Sequence, residues 1–265
     1  MSVARARVEP LVVLSSLAVT LVVASAFAPR LQVDTIRIRG QVLAEGGGPI
    51  QNATIRTDAT RGALAQQFTG QKEFTERTNK NGEWSLLGIT RGLWIFEVTA
   101  PSHMPHVVVV PVSMMLRPDL RPFETSFALL PVTAVLPADA PSTAPARRVL
   151  EVADLIAVGD KSGARQALQR LSEGLDVNGL CAAGDLALVL RESLTARRLF
   201  ELAAAADAKS YRAQLGLASA AMLNFDLDLA VKAYAATRTN STNKRLQQTM
   251  SSAIRELQQI VTIPR

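Results

Sequence analysis

Pro131-Val132-Thr133-Ala134-Val135-Leu136-Pro137-Ala138-Asp139-Ala140-Pro141-Ser142-Thr143-Ala144-Pro145 divides this 265-residue chain into two kinds of sequence. Its prolines remove backbone donors and fix φ, so the stretch can neither propagate a helix nor pair as a central strand. Before it, short stretches alternate apolar and polar residues with a period of two. After it, apolar residues recur every three or four positions. The sequence therefore predicts a β-rich part over 34–131, a Pro/Ala-rich linker over 132–145 and an all-helical part over 146–265. The linker is expected as a semi-stiff extended spacer of about 3 Å per residue, holding two bodies apart or lying along their surfaces.

On the helical side, Val149, Val152, Leu155 and Ile156 set the period. Small-residue faces such as Ala203-Ala204-Ala205-Ala206 and Ala218-Ser219-Ala220-Ala221 let helices approach closely. A repeat is visible in Gly159-Asp160-Lys161-Ser162-Gly163-Ala164-Arg165-Gln166-Ala167-Leu168, in Arg191-Glu192-Ser193-Leu194-Thr195-Ala196-Arg197-Arg198-Leu199-Phe200, and in Phe225-Asp226-Leu227-Asp228-Leu229-Ala230-Val231-Lys232-Ala233-Tyr234. Ala164, Ala196 and Ala230 fall 32 and 34 residues apart, a period that resembles degenerate tetratricopeptide repeats, whose unit is a pair of antiparallel helices. Gly184 and Ala218 match the small site of the first helix, Leu168, Phe200 and Tyr234 the large site of the second, and Ala203 the small site that follows. One helix pair covers only part of its apolar face, so about three pairs and a cap are expected. Leu246, Met250, Ala253, Leu257 and Ile260 form one stripe, which makes 243–261 an amphipathic closing helix. The resemblance implies a concave protein-binding surface, for which Arg165, Arg197, Arg198 and Lys232 are candidates. A solvated helix face is the alternative for the same four residues.

On the other side, Ile36, Ile38 and Gln41-Val42 open a set of about seven short strands expected as a small antiparallel sandwich. Gly46-Gly47-Gly48-Pro49 and Asn79-Lys80-Asn81-Gly82 supply turns, and Thr57 to Glu76 reads as a long polar connection. Leu93-Trp94-Ile95-Phe96-Glu97-Val98, Val107-Val108-Val109-Val110 and Phe123-Glu124-Thr125-Ser126-Phe127-Ala128-Leu129 are further strands. The order Ile38-Arg39-Gly40-Gln41-Val42, Gly48-Pro49-Ile50-Gln51-Asn52-Ala53-Thr54-Ile55, Thr78-Asn79-Lys80-Asn81-Gly82-Glu83-Trp84-Ser85-Leu86 and Ile89-Thr90-Arg91-Gly92-Leu93-Trp94 resembles the carboxypeptidase regulatory-like domain, a transthyretin-like sandwich. That family implies an accessory module without catalytic residues, sometimes likened to starch-binding folds. Trp84 and Trp94 are accordingly candidates for stacking on a sugar ring, with burial in a strand as the alternative.

At the N-terminus, Arg5 and Arg7 precede an uncharged apolar run from Leu11 to Ala28. This basic-then-hydrophobic order marks residues 1–33 as a signal peptide or a single-pass membrane anchor. Ala24-Ser25-Ala26 offers a cleavage site, while the run is about long enough to cross a bilayer uncut. Retained, residues 11–28 would hold the protein in the inner membrane facing the periplasm; cleaved, it would be periplasmic or secreted.

Composition narrows the chemistry. The charge of +6 is spread over the chain without a basic run, and neither a nucleic-acid motif nor a set of stacking aromatics accompanies it. Plentiful alanine, arginine and proline are the pattern of a GC-rich bacterial gene. Cys181 is the single cysteine, so no intrachain disulfide can form. It sits in an apolar helical stretch without a neighbouring histidine, as a core residue would. His103 and His106 have H-x-x-H spacing in a Pro-flanked loop but lack nearby Cys, Asp or Glu, so no metal is expected. No nucleophile motif or phosphate-cradling loop is present, and no cofactor or small-molecule ligand is called for. The expectation is a non-catalytic exported scaffold that binds other envelope or membrane proteins, with a cell-wall glycan-binding protein as the alternative.

Overall fold

The computed structural model describes residues 36–59, 73–89, 92–112, 123–171 and 173–261. Residues 1–33, expected from sequence to be a signal peptide or membrane anchor through residues 11–28, lie outside the described residues. Among those described, no helix is long and apolar enough to cross a membrane.

Among the described residues, seven strands precede the helices: β1 Ile36–Ala44, β2 Thr54–Ala59, β3 Glu73–Arg77, β4 Glu83–Ile89, β5 Gly92–Thr99, β6 His106–Val112 and β7 Phe123–Leu129. They form one sheet in the order β4-β1-β7 and a second in the order β3-β2-β5-β6. The two sheets face each other through aromatics, Trp84 lying 6.0 Å from Phe96 and Phe96 5.6 Å from Phe127 between ring centroids. Two findings depart from the sequence reading. The β7 strand runs parallel to β1, from Ile38 opposite Phe123 to Ala44 opposite Leu129. It arrives from the other sheet and not through a hairpin, so nothing forces it antiparallel. Strand β3 also falls inside the stretch read as a polar connection. Its residues are only exposed or half-buried, and Phe74 is its one apolar residue, too little for alternation to show in the sequence.

The helices are α1 Val132–Val135, α2 Ala146–Ala157, α3 Lys161–Gln169, α4 Val177–Val189, α5 Ser193–Ala206, α6 Tyr211–Leu223, α7 Leu227–Asn240 and α8 Lys244–Val261. They pack as the pairs α2/α3, α4/α5 and α6/α7, with α8 closing against α7. Short polar residues start them: the side chains of Asp160, Asp176, Ser210 and Asp226 accept from the backbone N–H three residues on. Each such cap stabilises its helix by about 1 kcal/mol. The turn inside each pair needs one left-handed residue, which is Gly159, then Arg191, then Phe225. These stand at equivalent points of the three sequence repeats, so the repeat is a repeat of backbone geometry as well as of side-chain size.

The proline stretch is not an extended spacer. Val132–Val135 coils into α1, Val135 is buried, and Asn178 donates to the Ala134 carbonyl. Arg147 donates to the carbonyls of Ala140 and Pro141. Proline excludes long helices but suits tight turns, and here the turns fold the connection back onto the body. The described residues on both sides of it belong to one compact unit, and their buried apolar side chains form one cluster.

Candidate functional site

The junction between sheets and helices is built on exposed sheet edges. Strands β6 and β7 end their sheets on the same side of the molecule, and α4, α6 and α8 pack against β6 while α8 packs against β7. In β6, alternate residues turn their N–H and C=O away from β5, and helical side chains meet them. Asp185 of α4 accepts from Val107 N–H at 3.0 Å, and Ser219 of α6 accepts from Val109 N–H at 3.1 Å. Tyr234 of α7 donates to the Val109 carbonyl. The next position along that edge is Pro111, which has no N–H to satisfy. In β7, Thr249 of α8 donates to the Glu124 carbonyl at 2.8 Å, and Arg212 of α6 donates to the Ala128 carbonyl.

A buried ionic cluster sits at the centre of this seal. His106 Nδ1 lies 3.0 Å and 3.1 Å from the two Asp185 oxygens. Arg212 reaches Asp185 at 3.6 Å and Glu45 at 3.2 Å. His106, Asp185 and Arg212 are all buried. Burial opposes the Arg212 charge, but Tyr211, Glu45 and Asp185 outweigh it and hold its pKa above the ordinary value. Burial pushes the neighbouring Cys181 thiol up to about 12, with Arg212 pulling the other way, which favours the protonated thiol at neutral pH. The cluster ties β6 and β7 to α4 and α6. The sequence singles out His106 and Cys181 but not the charged partners Asp185 and Arg212. Their signal was a polar residue at a core position of an apolar helix, such as Asp185 within Ala183-Gly184-Asp185-Leu186-Ala187.

The residues singled out from sequence fall elsewhere. Trp84 and Trp94 are 4% and 2% exposed, which corrects the sugar-stacking assignment: their faces are spent on core contacts. Trp84 stacks on Phe127 at 5.7 Å and lies so close over Gly40 that a Cβ there would come within 2.9 Å of the ring. Three of the four groove candidates tie successive helix pairs together. Arg165 binds Glu192 and the Leu190 carbonyl, Arg197 binds Asp226 and Glu201, and Arg198 donates to the Leu171 carbonyl. They lie on the second helices, whereas the first helices α4 and α6 face β6, so that part of the inner face is covered by the sheet. Lys232 is exposed on α7. His103 turns to the Pro101 carbonyl while His106 faces Asp185, so the pair does not converge. Among the described residues no group of three His, Cys, Asp or Glu could hold a metal ion.

Among the described residues, two clefts differ in charge. One, of about 540 Å³, lies by β1, β4 and α8 and is lined by Arg39, Arg77 and Arg245 together with Glu76, Glu83 and Glu124. Its charges compensate one another, Arg39 pairing with Glu124 and Arg245 standing 3.9 Å from the same carboxylate. The other, of about 530 Å³, is a trough on α7 and α8 whose charged lining consists of Arg238, Lys244 and Arg255 alone.

No protein-family model matches the chain, and no curated protein sequence does. Among solved structures it is similar to chlorocatechol 1,2-dioxygenase from Pseudomonas putida, at 11% identity and TM-score 0.30 over 37% of this chain and 60% of that one. Wild-type catechol 1,2-dioxygenase from Acinetobacter radioresistens matches at 15% identity and TM-score 0.31, over 42% of this chain and 55% of that one. The type III secretion translocator chaperone SycD of Yersinia enterocolitica matches at 16% identity and TM-score 0.39, over 47% of this chain and 99% of that one. The chain thus spans three fifths or less of the length of the two dioxygenases. Likenesses of this size leave fold family and function to be argued from the residues themselves.

Proposed function

We propose that this protein is a non-catalytic exported scaffold, held at or beyond the inner membrane, that positions a partner protein of the envelope. The two sheets are taken as a carboxypeptidase regulatory-like sandwich and the helix pairs as a degenerate tetratricopeptide-like array, the finer form of the helical-region and sheet architecture described above. The observation that carries the reading is the sealed junction. Side chains of four helices satisfy one edge of each sheet, β6 and β7, which makes two interaction-type modules one piece and leaves its outer face for docking. Exposed edge strands would invite unspecific pairing with other chains, and a scaffold kept soluble outside the cytoplasm needs them covered.

Affinity purification of the full-length protein from detergent-solubilised envelope is expected to recover a stoichiometric partner. Recovery of monomer alone, under conditions that preserve other envelope complexes, would count against the proposal. The glycan alternative draws no support from Trp84 or Trp94 once their rings lie in the core.

A further inference from the structure

The trough on α7 and α8 differs from the cleft by β1, β4 and α8 in its charge. Between Asp228 and Glu256 the sequence holds Lys232, Arg238, Lys244, Arg245 and Arg255 and no acidic residue. Folding gathers Arg238, Lys244 and Arg255 along one cleft of about 530 Å³, while Arg245 turns away toward Glu124 and Gln41. None of the three trough cations enters an ion pair among the described residues. By contrast, Arg165 and Arg197 on the helices and Arg191 in the turn between α4 and α5 each pair with a carboxylate.

Spacing says more than sign. Lys244, Gln248, Ser251 and Arg255 follow one another at intervals of four, three and four residues, so they form a single stripe along α8. Eleven residues of helix carry Lys244 and Arg255 about 16 Å apart along the axis, and Arg238 joins the Lys244 end from the last turn of α7. Between the cations stand an amide and a hydroxyl, groups that can hydrogen-bond a peptide backbone. A phosphate needs cations converging on one point, and a membrane surface has no use for a spaced polar stripe between two charges. An extended polypeptide crosses about 16 Å in about five residues at about 3.3 Å each.

We propose that this trough is the docking site for an extended, acidic segment of the partner protein, with two carboxylates about five residues apart placed on Lys244 with Arg238 and on Arg255. This rests on the scaffold reading and names the chemistry of its partner. Such a contact is steered by charge and weakened by salt.

The test uses the full-length protein in detergent and a fluorescein-labelled six-residue peptide with glutamate at both ends and serine and alanine between. Anisotropy is expected to show salt-sensitive binding. The double variant Lys244→Glu/Arg255→Glu, with an unchanged melting temperature, is expected to weaken it at least tenfold, whereas Lys232→Glu outside the trough leaves it unchanged. A peptide with its two glutamates adjacent is expected to bind less well. No binding by the unaltered protein overturns the proposal, as does equal loss in Lys232→Glu. Charge-dependent binding to phosphatidylglycerol vesicles without peptide binding overturns it too. In the envelope purification, a partner kept by the unaltered protein and lost by the double variant supports the trough. A partner kept by both refutes the trough and leaves the scaffold standing, and a partner recovered by neither refutes the scaffold itself.

Discussion

Phe200 shows how single residues set the helix spacing. Its buried ring lies between α4 and α6, and a Cβ added at Gly184 or Gly216 would come within 2.6 Å or 2.1 Å of it. Both glycines are there for the missing side chain, since glycine in a helix interior otherwise costs about 1 kcal/mol relative to alanine. Gly216→Ala is therefore expected to destabilise, by about 1–3 kcal/mol through overpacking, seen as a lower urea midpoint with unchanged slope. A neutral or raised midpoint would mean that Phe200 can move aside. Cys181 makes a second case. Its folded pKa, about 12, lies above the ordinary thiol value of 9.0, so above about pH 9 the unfolded chain releases a proton that the folded one keeps. Stability is complete below the lower value and falls as pH rises between the two, by about 1.4 kcal/mol per pH unit at most from this group. Tyr211 and Tyr234, whose pKa values burial also raises, add to the fall above about pH 10. Urea midpoints measured from neutral pH into this range are expected to drop, and less steeply in Cys181→Ala.

At the scale of elements, the decisive feature is the closure of β6 and β7 by α4, α6, α7 and α8. Asp185→Ala removes the acceptor for Val107 N–H and His106 and strips Arg212 of a buried partner, which is expected to cost about 3–5 kcal/mol. Tyr234→Phe leaves the Val109 carbonyl without its donor, and Ser219→Ala leaves the Val109 N–H without its acceptor. Each is expected to cost about 1–3 kcal/mol, and all three are read by chemical denaturation. If all stayed within about half a kilocalorie of the unaltered protein, the seal would be incidental. Much of this level was legible in the sequence. The change from period two to period three and four falls at the proline stretch, and the closing helix runs where its stripe of Leu246, Met250, Ala253 and Leu257 put it. Strand β3 was hidden because Phe74 is its one apolar residue, too little to show a period in the sequence. The parallel β1–β7 pairing was hidden because a period of two carries no strand direction.

At the scale of the whole molecule, sequence pattern reveals which face of each element is apolar but not which element that face will meet. The helix pairs are expected from sequence to present a concave surface. The nearly all-round burial of the first helices α4 and α6 shows that they have a second neighbour, and that neighbour is the chain's own β6. The same fact moves the search for a partner site from the inner surface to the outer one, where Arg238, Lys244 and Arg255 stand unneutralised. It also makes the sheets and helices energetically one body, because neither can open without exposing edge hydrogen bonds and the buried Asp185–Arg212 pair. Both tryptophans belong to the sheets, so fluorescence follows the β part while far-ultraviolet circular dichroism is dominated by the helices. Urea unfolding followed by both signals on one sample is predicted to give a single shared midpoint and slope. Two separated transitions, with the helices melting while the tryptophans remain buried or the reverse, would contradict the account.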